Sequence, residues 1–135
     1  MKRLLVHVPH ASTDIPRQYL TDYRIPDLDA ELLRMTDWYC DDLFDCGQDM
    51  LVFPYSRLLC DVERFREDGD EIMASVGMGL AYTRTADGRV LREVSADRRE
   101  EILQRYYDPH HSRLTEAVQA RLDMFGTCLI VDGHS

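Results

Sequence analysis

Two apolar runs, one near each end of the chain, dominate the pattern of hydrophobic and polar positions. The first covers residues 3–8 and leads into His10, and the last covers residues 127–131 and leads into His134. Runs of Leu, Ile and Val without polar alternation are typical of strands that are buried on both faces. We therefore expect both runs to be strands of one sheet that helices cover on both sides.

The first part of the region between them predicts one helix and two further strands. An apolar stripe at helical spacing predicts a helix over residues 29–46, with Gly47 as its stop. A strand is expected at residues 49–53, before Pro54, and a short strand at residues 57–62. These segments add to the sheet and give it helical cover.

The second part of this region predicts a loop, a hairpin and two helices. Residues 66–79 are acidic and contain glycines, as in a mobile loop, and residues 80–91 contain the Asp-Gly signal of a hairpin. Helices are expected at residues 95–107 and 108–126, the second beginning with an Asp-Pro N-cap. The predicted fold class is α/β, with a mixed, mostly parallel sheet sandwiched by helices.

Length and charge limit the class of protein. The 135 residues are enough for a single domain, residues 1–135. A net charge of −9 argues against binding to nucleic acid or to an anionic membrane surface. No segment approaches the roughly 20 apolar residues of a membrane span, and no signal peptide is recognisable, so we expect a cytoplasmic protein whose four cysteines are reduced core residues. A chain that stops one residue past a buried strand is expected to be part of a larger, truncated fold.

Two histidines and one carboxylate are candidate metal ligands. His10 and His134 each follow a predicted parallel strand, and ligands collect at the carboxyl ends of such strands. Asp37 falls at the margin of the apolar stripe of the first helix, where a carboxylate needs a cation or a partner. Two histidines and a carboxylate are the ligands of catalytic zinc sites. The alternatives are structural histidines and an ordinary salt bridge.

A second group of charged residues follows the short strand. Asp61 is placed to hold the second nitrogen of a metal-bound histidine, and Arg64 to clamp a substrate carboxylate with its guanidinium. Arg57 is a weaker candidate for a second anion contact, and Glu63 lies between the two stronger candidates. The alternative is a surface charge cluster without function.

The remaining histidines favour structural roles. His7 lies inside the first strand and is assigned to packing. His111 shares an apolar stripe with leucines of the last helix, so a hydrogen-bonded core histidine is the default interpretation. His110 points aside from that stripe.

Six short motifs occur in the order seen in the N-formylglutamate amidohydrolase (N-formylglutamate deformylase) family, and the chain resembles that family over its whole length. The matching segments are His7-Val8-Pro9-His10-Ala11-Ser12 with Ile15-Pro16, Thr36-Asp37-Trp38, Ser56-Arg57-Leu58, Asp61-Val62-Glu63-Arg64, Tyr106-Tyr107-Asp108-Pro109-His110-His111 and Val131-Asp132-Gly133-His134-Ser135. Each motif alone is weak, but six in order are a specific signal. The family is similar in fold to zinc carboxypeptidases, which implies a zinc-exopeptidase-like sheet of which this chain forms the N-terminal half.

The resemblance also implies roles for individual residues. It implies zinc ligands, with His10 and His134 as the imidazoles and Asp37 as the acid. It implies a supporting role beside these ligands for Asp61 and Asp132. The remaining implied roles belong to residues that would contact the substrate or its intermediate: Arg64 and Arg57 for a carboxylate, Glu63 and His111 for catalysis.

The chain departs from the family pattern at several positions. Glu63 stands where asparagine is common, which changes the polarity beside Arg64 and puts the identity of the substrate in doubt. Ala11 and Ser12 stand where many relatives have Ser and Gly. The family's domain is considerably longer, and the segment that carries the general-base carboxylate in carboxypeptidase-like enzymes would follow Ser135.

The function implied by the resemblance is zinc-dependent hydrolysis of a small N-acyl amino acid. The implied substrate is N-formyl-L-glutamate, which yields formate and L-glutamate in histidine degradation. The cofactor is zinc, and the partner is a small molecule that carries a carboxylate. Two alternatives stay open, namely a peptidase or cell-wall amidase on the same scaffold and a metal-binding fragment without turnover.

Overall fold

The computed structural model describes all residues from 1 to 135 and contains one sheet of three parallel strands. Strand β1 (Leu4–Val8) lies in the centre, between β2 (Asp49–Val52) and β3 (Leu129–Asp132). The expected α/β class is confirmed, and the two end strands are direct neighbours with His7 opposite Asp132.

Helices cover both faces of the central strand. Their bounds, with two 3-10 helices and one π-helical turn, are Arg17–Asp22 (3-10), α1 Leu28–Met35, α2 Cys40–Leu43, Ile72–Val76 (3-10), α3 Ala96–Ile102, Leu103–Tyr107 (π) and α4 Asp108–Phe125. Cys40 at the start of α2 packs with Val6 and Val8 on one face, and His110 of α4 meets His7 on the other. None of the helices combines the length and the apolar character that a bilayer crossing requires.

The single helix predicted at residues 29–46 is wrong, because the chain breaks between α1 and α2. Thr36 has an extended backbone, and Tyr39 has a φ of 63°, which interrupts a right-handed helix. Between them, the amide of Asp37 donates to the carbonyl of His10 at 2.9 Å. This tertiary hydrogen bond holds the break against the end of β1.

The strand predicted at residues 57–62 is also wrong, because this segment is coiled. The amides of Leu59 and Cys60 both donate to the carbonyl of Ser56, which winds the chain into turns. Its apolar side chains are buried because the segment crosses the largest core, which lies beside the sheet. That core includes Tyr19, Phe53, Leu58, Leu59, Cys60, Val62, Tyr82, Ile102 and Tyr106.

The C-terminal half has the predicted order of elements, but the loop, the hairpin and one helix start differ from the prediction. The expected loop contains the 3-10 helix at Ile72–Val76, and the hairpin is reduced to a bridge between Arg84 and Val90. Ser95 caps α3 as predicted, by accepting a hydrogen bond from the Arg98 amide. The expected N-cap at Asp108 is wrong, because this residue is helical and the π-helical turn carries the backbone from α3 into α4 without a stop.

The last strand is not buried on both faces, which corrects the expectation. Leu129 and Ile130 are 60% and 41% exposed, and β3 has β1 as its one neighbour in the sheet. The cysteines are all free, but two of them, Cys46 and Cys128, are not buried and do not belong to the core.

Candidate metal centre

His10 occupies the end of the central strand and has one buried nitrogen without a hydrogen-bond partner. Its ring is 2% exposed, and Nε2 donates to Asp61 Oδ1 at 2.8 Å. The Nδ1 atom makes no hydrogen bond and lies 3.6 Å from Asp37 Oδ2 and 3.6 Å from a Glu63 oxygen. A neutral imidazole that donates from Nε2 turns a lone pair at Nδ1 toward these carboxylates. Such an arrangement is favourable when a cation lies between them.

His134 reaches the same place from the end of β3. Its ring centroid is 5.4 Å from that of His10, and its Nδ1 donates to Asp37 Oδ2 at 2.8 Å. Gly133 allows the approach, because a Cβ there would lie 2.8 Å from the ring of Phe44. The Gly133 amide donates to the carbonyl of His7 at 2.8 Å, which ties this segment to the central strand.

Asp37 lies in the break between the first two helices, and that break delivers its carboxylate to both imidazoles. Its side chain is 14% exposed. The sequence analysis predicted that Asp37 lies inside a continuous helix, which is wrong. The structure nevertheless brings Asp37 to His10 and His134, the two histidines predicted as its partners.

Glu63 completes the cluster, and sequence reasoning had not placed it among the ligands. Its Oε1 lies 3.1 Å from His134 Nε2, and ligand atoms of Glu63, His10 and His134 lie within 4.8 Å of one another. Nitrogen and oxygen ligands bind zinc at about 2.0–2.2 Å, so this spacing fits one ion. The buried, unpartnered Nδ1 of His10 also fits a metal ligand.

The electrostatics of the cluster favour positive charge. Burial opposes protonation of His134, but its hydrogen bonds to Asp37 and Glu63 outweigh burial and raise its pKa. Each ring nitrogen of His134 faces a carboxylate oxygen, and these two contacts are the reason for the raised pKa. Metal binding requires the neutral ring, so a metal ion would displace this proton.

Asp61 is a buried hub behind His10. Burial alone would raise its pKa, but hydrogen bonds and charges from His10, Arg57 and Tyr82 hold the pKa well below its usual range. Its carboxylate accepts from the Tyr82 hydroxyl at 2.6 Å, from Arg57 Nη2 at 3.0 Å and from the Glu63 amide at 3.1 Å. Asp61 therefore lies where it would have to be in order to hold the second nitrogen of a metal-bound His10, the role predicted for it.

Arg57 belongs to this hub and does not line the adjacent cleft. Its guanidinium also donates from Nε to the Tyr82 hydroxyl at 3.1 Å, and its side chain is 15% exposed. The structure therefore joins Arg57 to Asp61, and not to a space where a second anion contact would form.

An open cleft of about 440 Å³ borders the cluster at Glu63. Its wall includes Glu63, Arg64 and His111, three of the residues predicted for substrate binding and catalysis. Arg64 Nε is buried without a hydrogen-bond partner, 3.5 Å from Asp61 Oδ2. His111 Nε2 donates to the Val62 carbonyl at 2.8 Å, which leaves Nδ1 as the free acceptor of a neutral ring.

Two histidines that the sequence analysis set aside form a buried pair beside this cleft. His7 Nδ1 donates to Asp132 Oδ1 at 2.7 Å, and His7 Nε2 lies 2.8 Å from His110 Nε2. His110 is buried and His111 is half-buried, the reverse of the prediction. Asp132 contacts His7 and not the candidate zinc ligands for which a supporting role was predicted. His7 and Asp132 are each the fourth residue of their strand, and the register of β1 and β3 pairs them.

Comparisons with known proteins agree with the motifs and with the fold. The family model described as N-formylglutamate amidohydrolase matches residues 2–135. An N-formylglutamate deformylase from Pseudomonas putida is 27% identical over 143 residues, which covers 98% of this chain and 51% of that protein.

A crystal structure of N-formylglutamate amidohydrolase from Ralstonia eutropha JMP134 has the same fold, with a TM-score of 0.84 and 21% identity over 98% of this chain and 53% of that chain. The chain therefore spans about half the length of the relatives it matches. From the family match over nearly every residue, the chain belongs to the N-formylglutamate amidohydrolase family.

Proposed function

We propose that this chain carries the zinc centre of an enzyme that hydrolyses the amide of a small N-acyl amino acid, with N-formyl-L-glutamate as the substrate and formate and L-glutamate as the products. The observation that carries the proposal is the buried lone-pair nitrogen of His10 beside His134 and Asp37. Family membership supports the reaction class.

The zinc ligands in this proposal are His10 Nδ1, a ring nitrogen of His134 and a carboxylate oxygen of Asp37. Glu63 also lies within ligand spacing of the two histidines and is the neighbouring carboxylate. The proposed ligand atoms come from the ends of β1 and β3 and from the break between α1 and α2, so each has a fixed backbone support. When bound, zinc supplies a water nucleophile at neutral pH and polarises the carbonyl of the substrate. Asp61 holds His10 in the tautomer that leaves Nδ1 free to bind.

Arg64 is the proposed anchor for a substrate carboxylate. Its side chain is 22% exposed at the cleft, and a guanidinium binds a carboxylate through two parallel hydrogen bonds. Fixing one end of the substrate orients the amide and converts its encounter with the nucleophile into an intramolecular step. His111 Nδ1 is available to accept a hydrogen bond from the substrate.

Among the described residues, Glu63 is the proposed proton carrier. Hydrolysis of an amide moves a proton from the attacking water to the leaving amine, and a carboxylate at the site performs this transfer. Glu63 is 26% exposed, lines the cleft and lies beside His134, so it reaches both the candidate centre and the solvent side. The chain is half the length of its relatives, and a carboxylate outside the aligned half is the alternative carrier.

The test is formate release by the zinc-loaded protein. We expect turnover of N-formyl-L-glutamate, a weaker rate with N-formyl-L-glutamine, whose side chain has the same shape without the charge, and no cleavage of short peptides. His134→Ala should lose both zinc and turnover, whereas Asp123→Asn, an exposed change on α4, should keep both. Peptide cleavage would favour the peptidase alternative, and stoichiometric zinc without any turnover would leave a metal-binding fragment.

A further inference from the structure

A second group of metal-ligating side chains lies next to the candidate zinc site and shares only Glu63 with its cluster. The group consists of His7, Asp132 and Glu63, whose ligand atoms lie within 4.8 Å of one another. All three residues line the open cleft in front of the sheet, so solvent ions reach them. Glu63 belongs to both groups and therefore stands between them.

The backbone fixes the two other members of this group. His7 and Asp132 are partners in the register of β1 and β3, which brings their side chains together in the cleft wall. Asp132 is half-exposed, whereas His7 is 4% exposed, so a solvent-facing acid lies beside a buried, hydrogen-bonded imidazole. A rigid imidazole loses little conformational entropy when it binds an ion.

His110 sets the orientation of the His7 ring. His7 Nε2 lies 2.8 Å from His110 Nε2, and His110 is 4% exposed. His7 Nδ1 donates to Asp132 Oδ1 at 2.7 Å, so both ring nitrogens of His7 have a partner. The Nδ1 atom therefore points toward Asp132 in the cleft wall, where an ion would take the place of its hydrogen, since histidine binds metals as the neutral ring.

The geometry points to a second divalent-cation site at His7 Nδ1, Asp132 and Glu63, of the class that zinc occupies through one nitrogen and two carboxylate ligands. We expect it to bind more weakly than the first site, because the Arg64 guanidinium lines the same cleft and repels a cation. An ion here would replace the direct hydrogen bond between His7 and Asp132.

Occupation of the second site would change the chemistry of Glu63. A carboxylate that binds a cation does not carry a proton, so a second ion removes the proton carrier. This consequence rests on the proposed function, whereas binding of the ion does not. The site is therefore inhibitory in the proposed reaction, and excess zinc should slow turnover.

The experiment is equilibrium dialysis of the full chain against buffered free zinc, with bound metal measured by mass spectrometry. Wild type should bind two ions, with the second at least tenfold weaker. Asp132→Asn should bind only the tight ion, His134→Ala only the weak one, and the double variant none. Asp123→Asn, an exposed control, should bind two, and circular dichroism checks that each variant is folded.

Three results would overturn the proposal. These are one ion in wild type, two ions in Asp132→Asn, or none in His134→Ala while wild type binds two. A single wild-type ion that His134→Ala abolishes would reject the second site and leave the proposed function intact. A wild type that binds no zinc would reject both.

Discussion

Asp61 is the residue whose change tests the proposed zinc centre without removing any ligand. Replacement by asparagine keeps the shape but leaves one acceptor oxygen where the carboxylate has two. In the structure these oxygens receive hydrogen bonds from His10, Tyr82, Arg57 and the Glu63 amide. If the new amide nitrogen faces His10, the ring must place its hydrogen on Nδ1, the atom proposed to bind zinc.

The size of the effect follows from these contacts. Loss of a residue that supports a metal ligand costs about 10–100-fold in metal affinity, or about 1.4–2.7 kcal/mol. Asparagine also leaves the mostly buried Arg57 charge without its partner, and breaking such a pair costs about 3–5 kcal/mol of the free energy of unfolding. The two effects separate when urea unfolding is measured on the metal-free protein and zinc affinity by competition with a chelator.

Tyr82→Phe is the matched control. It removes the hydrogen bond to Asp61 and the one accepted from Arg57 Nε, but leaves the carboxylate and its contact with His10. It should therefore cost about 2–4 kcal/mol of stability and change zinc affinity much less. A folded Asp61→Asn protein that binds zinc as tightly as wild type would refute the assignment of His10 as a ligand held by Asp61.

Three further predictions concern the cleft, the buried histidine and the helix break. Arg64→Ala should lower kcat/KM for N-formyl-L-glutamate by about 10–100-fold in a formate-release assay without loss of zinc, and unchanged kinetics would remove Arg64 from the site. His110 has a folded pKa of about 3 against 6.5 in the unfolded chain, so the unfolded state binds the extra proton and the free energy of unfolding should fall as the pH drops from about 6.5 toward 3. His110→Asn should flatten this dependence in urea titrations at pH 7 and pH 4.5, and an unchanged slope would contradict the assignment. Tyr39→Gly should raise the free energy of unfolding by up to about 1 kcal/mol, because φ is 63° there, whereas Tyr39→Ala should not.

The pairing of the two end strands could be predicted from the sequence. Both runs are too apolar for a one-sided sheet, and each leads to a histidine, so their adjacency was the simplest arrangement. The burial of β3 could not be read in the same way, since a strand buried on both faces and an edge strand have the same composition. Leu129 and Ile130 are exposed because no other part of the chain covers them, and such cover is a long-range property.

Helical spacing predicted the helices but misplaced their boundaries and faces. Apolar residues continue at helical spacing through the break at Asp37, and the hydrogen bond that holds the break comes from the distant end of β1. In α4 the buried face contains His110 and Arg121, which have polar partners at His7 and Asp49 of the sheet. A hydrophobic pattern does not identify a polar residue that is buried because it has a polar partner in the sheet.

The sequence named most members of the candidate site but not their pairing. His10, Asp37, His134 and Asp61 lie together as expected, since motif order and strand ends constrain them. Glu63 reaches the cluster from a turn in which its amide donates to the Asp61 side chain. The sequence analysis had predicted a strand up to residue 62, so it did not foresee this turn.

The most direct test of the zinc centre is an anomalous difference map from a crystal of the zinc-loaded protein, with data collected on both sides of the zinc absorption edge. The account predicts a peak about 2.0–2.1 Å from a ring nitrogen of both His10 and His134, with Asp37 as the third protein ligand. A folded protein whose two rings bind no common ion under saturating zinc would contradict it.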